Sequence, residues 1–155
     1  MMKPLHSEID AWARSFTGKL DYLDFASSRL SLPDWLAVAR LFRPSFVEVS
    51  GCVLWDRVYE PKNFQAWYTE LDGAATAIES VLNRARLWQF IDIDGEEDEK
   101  AINALAGDIA FFWRKSLEAD FPEKEFEVSI IDIGDGPEVG FIVRRPQEYS
   151  PHVSP

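Results

Sequence analysis

Histidine and cysteine are the residues of this chain that most often act as general bases, metal ligands or nucleophiles. The 155-residue sequence holds two histidines, His6 and His152, and one cysteine, Cys52. Each histidine lies within ten residues of a terminus, where we expect no rigid scaffold to aim it at a substrate. Cys52 lies in an alternating apolar segment and is expected to be a small buried side chain. We therefore predict no catalytic residue.

A dense run of carboxylates is the second feature with chemical potential. Its members are Asp92, Asp94, Glu96, Glu97, Asp98 and Glu99, and we call them the acidic run. A calcium-binding loop counted from Asp92 would need glycine at position six and glutamate at position twelve, where this chain has Glu97 and Asn103. The alternative is a solvated helix start, because a helix N-terminus stabilises negative charge. We expect this start to lie just ahead of a helix over residues 101–117 and predict no metal site.

Glycines in the sequence indicate a turn and no phosphate-binding loop. Gly134 and Gly136 flank Asp135 between two alternating segments, whereas a phosphate loop joins a strand to a helix. No cofactor is predicted. Pairs of carboxylates could still converge in a cleft and do acid–base chemistry, but spacing along the chain does not show which pairs meet.

Charge restricts the classes of partner. The net charge is -11, and residues 61–155 carry -10 of it, with 9 basic against 19 acidic side chains. Such a field repels phosphate backbones and anionic lipid, so we expect neither nucleic acid nor membrane as a partner. The single cysteine favours a reducing compartment, and residues 1–8 lack the apolar run of a signal peptide. The predicted location is cytoplasmic.

Hydrophobic periodicity predicts about five helices. Ser7 and Asp10 suggest a capping box at the start of the first helix. Residues 20–30 are predicted to form a short second helix, and Pro33 is expected in the first turn of a third. Asn63 is a candidate cap for the next helix, and Asp72 for one that continues through Ala85 to Trp88. The longest helix follows the acidic run, on the stripe of Ile102, Leu105, Ile109, Phe112 and Trp113.

Period-two alternation predicts the strands. Residues 46–55 are expected to form one strand with a bulge at Gly51, lying beside a C-terminal hairpin. The hairpin is predicted from alternation on both sides of the glycine turn. The fold class is therefore α+β, with helices on one face of a small, mainly antiparallel sheet. Residues 1–145 are expected to form a single domain, and residues 146–155, with three prolines, a flexible tail.

Aromatic content points to an interaction surface. The chain has six tryptophans, most of them on or beside apolar stripes, and a domain of this size seldom hides that many indoles completely. We expect one or two to reach the surface, where aromatics beside carboxylates are typical of a protein-binding face.

Our first functional hypothesis is a non-catalytic, acidic protein-binding module that presents the acidic run to a basic protein partner. Bacterial immunity proteins, which inhibit a toxin nuclease by covering its cationic active site, share this charge and size. A second hypothesis is a small-molecule-binding protein or carboxylate-dependent enzyme with a pocket between helices and sheet, recognisable by a partly apolar cavity with convergent carboxylates. A homo-oligomer that pairs its exposed aromatics is the third.

Overall fold

A computed structural model of the protein describes residues 4–146. Within them the chain forms six α-helices and two small antiparallel sheets, which confirms the predicted α+β class. The helices are α1 (Ser7–Arg14), α2 (Tyr22–Ser27), α3 (Leu32–Phe42), α4 (Pro61–Glu70), α5 (Ala75–Leu82) and α6 (Gly95–Asp120). The strands are β1 (Phe46–Val49), β2 (Cys52–Trp55), β3 (Arg84–Arg86), β4 (Phe126–Asp132) and β5 (Pro137–Val143), and short 3-10 helices span Asp56–Val58 and Leu87–Gln89.

The segment 46–55 is a hairpin, so the prediction of one bulged strand is wrong. Ser50 and Gly51 both have positive φ, 50° and 80°, as a two-residue type I′ turn requires. The chain reverses there and pairs Phe46 with Trp55 and Val49 with Cys52. Paired residues of a hairpin share a face, so Val49 lies on the same face as Cys52, and the alternation of apolar residues shifts by one position across the turn. Strand β2 is buried on both faces, which is why the sequence pattern resembled a single strand.

The second sheet has the order β3-β5-β4, and its β4–β5 pair is the predicted C-terminal hairpin. The sequence predicts that the helix preceding β3 continues through Ala85 to Trp88, and this prediction is wrong. Instead, α5 ends at Leu82, and Ala85 pairs with Val139 in the ladder. The flanking Arg84 and Arg86 both reach the buried carboxylate of Glu138, at 3.2 and 3.3 Å. This pairing with β5 overrides the local helical periodicity.

Helix α6 provides more of the core than any other element. Its stripe of Ile102, Ala106, Ile109, Trp113 and Leu117 is buried against β4, β5 and the β1–β2 hairpin. The indole of Trp113 packs 5.0 Å from that of Trp55, and its Nε1–H donates to the carbonyl of Leu41 in α3 at 2.7 Å. The long helix is thereby fixed to both sheets and to α3.

Two polar side chains, one in α5 and one at its C-cap, join the sheets, which share no backbone hydrogen bonds in the part of the chain described. The carboxylate of Glu79, fully buried, accepts from the backbone N–H of Val53 in β2 at 3.0 Å and of Val143 in β5 at 2.9 Å. Arg145 completes this arrangement with a bidentate pair at 2.6 and 2.9 Å. One turn later Asn83 accepts from the N–H of Trp55 at 3.0 Å and donates to the carbonyls of Val53 and Phe141.

Close packing accompanies this junction. A Cβ on Gly140 would lie 3.0 Å from the backbone carbonyl oxygen of Asn83, so a side chain there would require a small shift of this backbone. Cys52 is fully buried beside Leu54, Phe64 and Ile78, as expected of a small apolar residue. Burial raises the pKa of its thiol above the ordinary value.

Replacing Glu79 with alanine should lower the free energy of unfolding by about 3 to 5 kcal/mol, because it leaves the Arg145 guanidinium and two buried N–H groups without their acceptor. Urea denaturation followed by tryptophan fluorescence measures this. Glu70→Ala, at an exposed position of α4, is the control and should change stability by less than about 0.5 kcal/mol. A Glu79→Ala loss below about 1 kcal/mol would contradict the assigned role.

Candidate functional site

The acidic run lies largely inside α6 and not ahead of it. The helix begins at Gly95 with Asp94 in the N-cap position, so the predicted start near residue 101 is six residues late. Glu96, Glu97 and Asp98 occupy the first turn, where the positive end of the helix dipole stabilises carboxylates. A charged first turn carries no apolar stripe, which is why hydrophobic periodicity missed it.

His6 is held firmly at this helix end, contrary to the expectation from its place in the sequence. Its Nε2 lies 2.7 Å from Asp98 and 3.2 Å from Glu97, and its Nδ1 accepts the backbone N–H of Glu8 at 3.1 Å as the N-cap of α1. Both ring nitrogens are therefore engaged in holding α1 against α6. The partners are more than 90 residues apart in the chain, so no local pattern could reveal them. His152 lies outside the described residues.

Ser7 adds a second link between α1 and α6. Its hydroxyl and its backbone N–H both donate to Glu97. Ser7 is the first residue of the helix, so the predicted capping box with Asp10 is wrong, and His6 caps α1 instead. Two of the six carboxylates in the acidic run are thus used in contacts with α1 and its N-cap.

These contacts shift the ionisation of the groups involved. The hydrogen bond to Asp98, aided by the charges of Glu97, Asp98 and Glu8, raises the pKa of His6 above 6.5. The pKa of Asp98 is lowered by the N–H of Asp94 and by His6, and that of Glu97 by Ser7. Protonation of His6 removes its Nδ1 acceptor from α1 but strengthens both carboxylate contacts at Nε2.

The remaining four carboxylates of the acidic run face solvent. Glu96 forms an exposed pair with Lys100 at 3.2 Å, which contributes little to stability. Asp92, Asp94 and Glu99 are exposed, and no basic group of the described residues lies within 4.0 Å of them. The acidic run therefore retains free negative charge in spite of its internal contacts.

A cleft of about 280 Å³ between α6 and the β4–β5 turn extends this charge, and we call it the acidic notch. Its carboxylates are Glu99, Asp132 and Asp135, and no Lys, Arg or His of the described residues lines it. Asp132 also accepts the N–H of Gly134 at 2.8 Å, which fixes the turn. The sequence indicated a turn at Gly134 to Gly136 but could not show that it folds back to Glu99.

Two further clefts lie beside the N-terminal helices. One, of about 330 Å³, lies between α1, α2 and the start of α6, and combines apolar walls with His6, Glu8, Asp92 and Asp98. The other is an open, largely apolar groove of about 670 Å³ beside α3, which contains one carboxylate, that of Asp56.

The tryptophan side chains differ widely in exposure. Trp55 and Trp113 are buried and Trp12, Trp67 and Trp88 are half-buried, whereas Trp35 on α3 is exposed. Phe90 is 51% exposed and lies two residues before Asp92, at the start of the acidic run. The expectation that one or two tryptophans reach the surface is confirmed for Trp35.

Within residues 4–146, no helix is long and apolar enough to cross a membrane, and no group of three or more His, Cys, Asp or Glu side chains could hold a metal ion. Comparison of the chain with models of known protein families, with curated proteins and with solved structures gives no match.

Asp98→Asn should lower the pKa of His6 toward 6.5, because Asp98 makes the largest contribution to raising it. Because the pKa of His6 is higher in the folded than in the unfolded state, the contact of protonated His6 with α6 contributes its full stability below about pH 6.5. This contribution is lost as the pH rises through the folded-state pKa of His6. NMR titration of the imidazole carbons measures the pKa. Asp108→Asn, which removes the same charge from an exposed position of α6, is the control. An equal His6 pKa in the wild type and Asp98→Asn would contradict the assignment.

Proposed function

We propose that this protein is a non-catalytic protein-binding module that presents the acidic run and the acidic notch to a basic partner. The observation that supports the proposal most strongly is the unneutralised carboxylate lining of the acidic notch. Its three carboxylates come from the start of α6 and from the far end of the β4–β5 hairpin, and no basic side chain of residues 4–146 neutralises them. A volume of about 280 Å³ lies just below the usual range for small-molecule pockets and suits one lysine or arginine side chain.

Arginine is the better fit to this arrangement. Its guanidinium presents a planar fork of donors that pairs with carboxylates through two parallel hydrogen bonds. Glu99 on one wall and Asp132 and Asp135 on the other supply acceptors from both sides of a bound side chain. The surrounding charge of the acidic run would attract a cationic partner before contact and speed its association.

Two of the three carboxylates are carried by regular secondary structure, which favours binding, and Asp135 lies in the turn between the strands. Glu99 lies on a helix whose stripe beginning at Ile102 is buried, and Asp132 ends a strand that is paired along its whole length. Acceptors that are already held in place lose little conformational freedom when a partner binds. We extend the proposal to an inhibitor of the immunity type, which would cover the cationic active site of a bacterial nuclease.

A second candidate function, a small-molecule-binding protein or carboxylate-dependent enzyme, is favoured by the cleft beside α1. There Glu8, Asp92 and Asp98 converge with His6 among apolar side chains. Both ring nitrogens of His6 already form hydrogen bonds within the chain, so neither is free to act on a bound molecule, and we rank this candidate second. Binding that depends on Asp92 and not on Glu99 would separate it from the main proposal.

Reversing two charges of the acidic notch should weaken the partner interaction by about tenfold to a hundredfold, because a basic side chain would then meet like charge. The variant is Glu99→Lys with Asp135→Lys. The control is Glu70→Lys with Asp108→Lys, which makes the same change in net charge at exposed sites on α4 and on another turn of α6.

Each protein serves as bait for capture from a native lysate at low salt, and the affinity of the captured protein is then measured by calorimetry at rising salt concentration. We expect a basic protein whose binding weakens with salt and is lost selectively in the notch variant. Equal affinity for the two double variants, or no retained protein, would overturn the proposal.

A further inference from the structure

The groove beside α3 differs in character from the acidic surfaces, and we call it the α3 groove. It lies between α3 and the two 3-10 helices and has a volume of about 670 Å³. Its walls include Val38, Leu41, Trp55 and Phe90, with Arg40 and Arg57 beside them. None of its residues belongs to the acidic run or to the acidic notch.

The floor of the α3 groove is fixed by the core. Trp55 is only 5% exposed and packs against Trp113. The Nε1–H of Trp113 in turn donates a hydrogen bond to the carbonyl of Leu41. The rim is different, since Val38 and Phe90 are 45% and 51% exposed. A preformed apolar floor with a solvated apolar rim is typical of a binding surface that is open in the free protein.

Two guanidinium groups border this apolar surface and have no charged partner. No carboxylate oxygen of the described residues lies within 4.0 Å of Arg40 or Arg57, whereas Arg43, Arg84 and Arg145 all form ion pairs. Arg40 donates to the hydroxyl of Ser45 at 2.8 Å, and Arg57 lies 5.5 Å from the centre of the Trp55 ring. Asp56 also lines the groove but pairs with neither arginine. Both groups keep donors available for an anion.

We infer that the α3 groove binds a small apolar acid, a molecule with a hydrocarbon or aryl body and one carboxylate. The body would cover Val38, Leu41 and Phe90, and the carboxylate would accept charge-assisted hydrogen bonds from Arg40 and Arg57. The volume lies within the range of small-molecule pockets. In a chain of net charge -11, unpaired guanidinium groups beside exposed apolar surface provide a local site of opposite sign. The site is separate from the proposed partner surface.

Dodecanoate, below its micelle concentration, is the probe. We expect it to cause saturable NMR shifts of the Val38 and Leu41 methyl groups and the Trp55 indole. Arg40→Gln with Arg57→Gln should weaken binding by about tenfold or more, since charged hydrogen bonds are lost. The control is Arg14→Gln with Arg114→Gln, two exposed arginines that also lack a described carboxylate within 4.0 Å. Dodecyltrimethylammonium tests the head group and should bind far more weakly.

Four outcomes would overturn the inference. The first is the absence of saturable shifts at the groove residues. The second is equal weakening in the two double variants, and the third is equal binding of the cationic amphiphile. The fourth is a dimer, detected by sedimentation, that is lost in Val38→Glu and excludes dodecanoate, because the groove would then hold a second copy of the chain. The acidic-notch variant should bind dodecanoate as the wild type does, so failure of the proposed function and failure of this inference are distinguishable.

Discussion

The buried carboxylate of Glu79 and the amide of Asn83 connect two sheets that have no backbone ladder between them. Glu79 lies in α5 and Asn83 is its C-cap, and together they satisfy the N–H groups of Val53, Trp55 and Val143. Those groups would otherwise be buried without acceptors, at a cost of about 1 to 3 kcal/mol each. Arg145 closes the arrangement by neutralising Glu79 and donating to the carbonyl of Gly51. Side chains of α5 and its C-cap thus provide the hydrogen bonds that connect β2 to β5.

The acidic notch and the α3 groove both lie on the core that this junction helps to assemble. Strand β5 carries the partner strand β4, whose end places Asp132 and the following turn. The hairpin β1–β2 supplies Trp55, against which Trp113 of α6 packs, and α6 carries Glu99 toward the turn. The direct packing of α6 against β4 and β5 sets the relative position of the two walls of the acidic notch, and the buried contacts of α5 hold the β1–β2 hairpin on the same core. The same packing fixes Trp55 and Leu41 as the floor of the α3 groove.

Local patterns in the sequence were sufficient for much of the fold. The stripe from Ile102 to Trp113 and the alternation on both sides of Gly134 predicted α6 and the C-terminal hairpin, because in both cases the apolar face meets the core directly. The pattern failed where side chains act over long separations. Asn83 ends α5 early by bonding to β2, and Arg84 and Arg86 then pair with Glu138, so β3 forms where helical spacing continues.

The candidate site shows the same division. The acidic run is visible in the sequence as a block of like charge, but its members are not equivalent. Glu97 and Asp98 are used by Ser7 and His6, while Glu99 joins Asp132 and Asp135. These relations depend on contacts between residues some 30 to 90 positions apart, and a single sequence carries no signal for them. Burial, in contrast, was predictable for Cys52 because its neighbours Val53 and Leu54 are apolar.

Native-state hydrogen exchange tests most directly whether α5 joins the two sheets into one cooperative unit. The amides of Val53 and Trp55, which donate to Glu79 and Asn83, should exchange with the same opening free energy as the amide of Val143 and as the central amides of β4 and β5. All of them would then open only when the whole structure unfolds. Exchange of Val53 and Trp55 through a separate, lower-energy opening, with Val143 still protected, would show that the β1–β2 hairpin is an independent unit and would contradict the account.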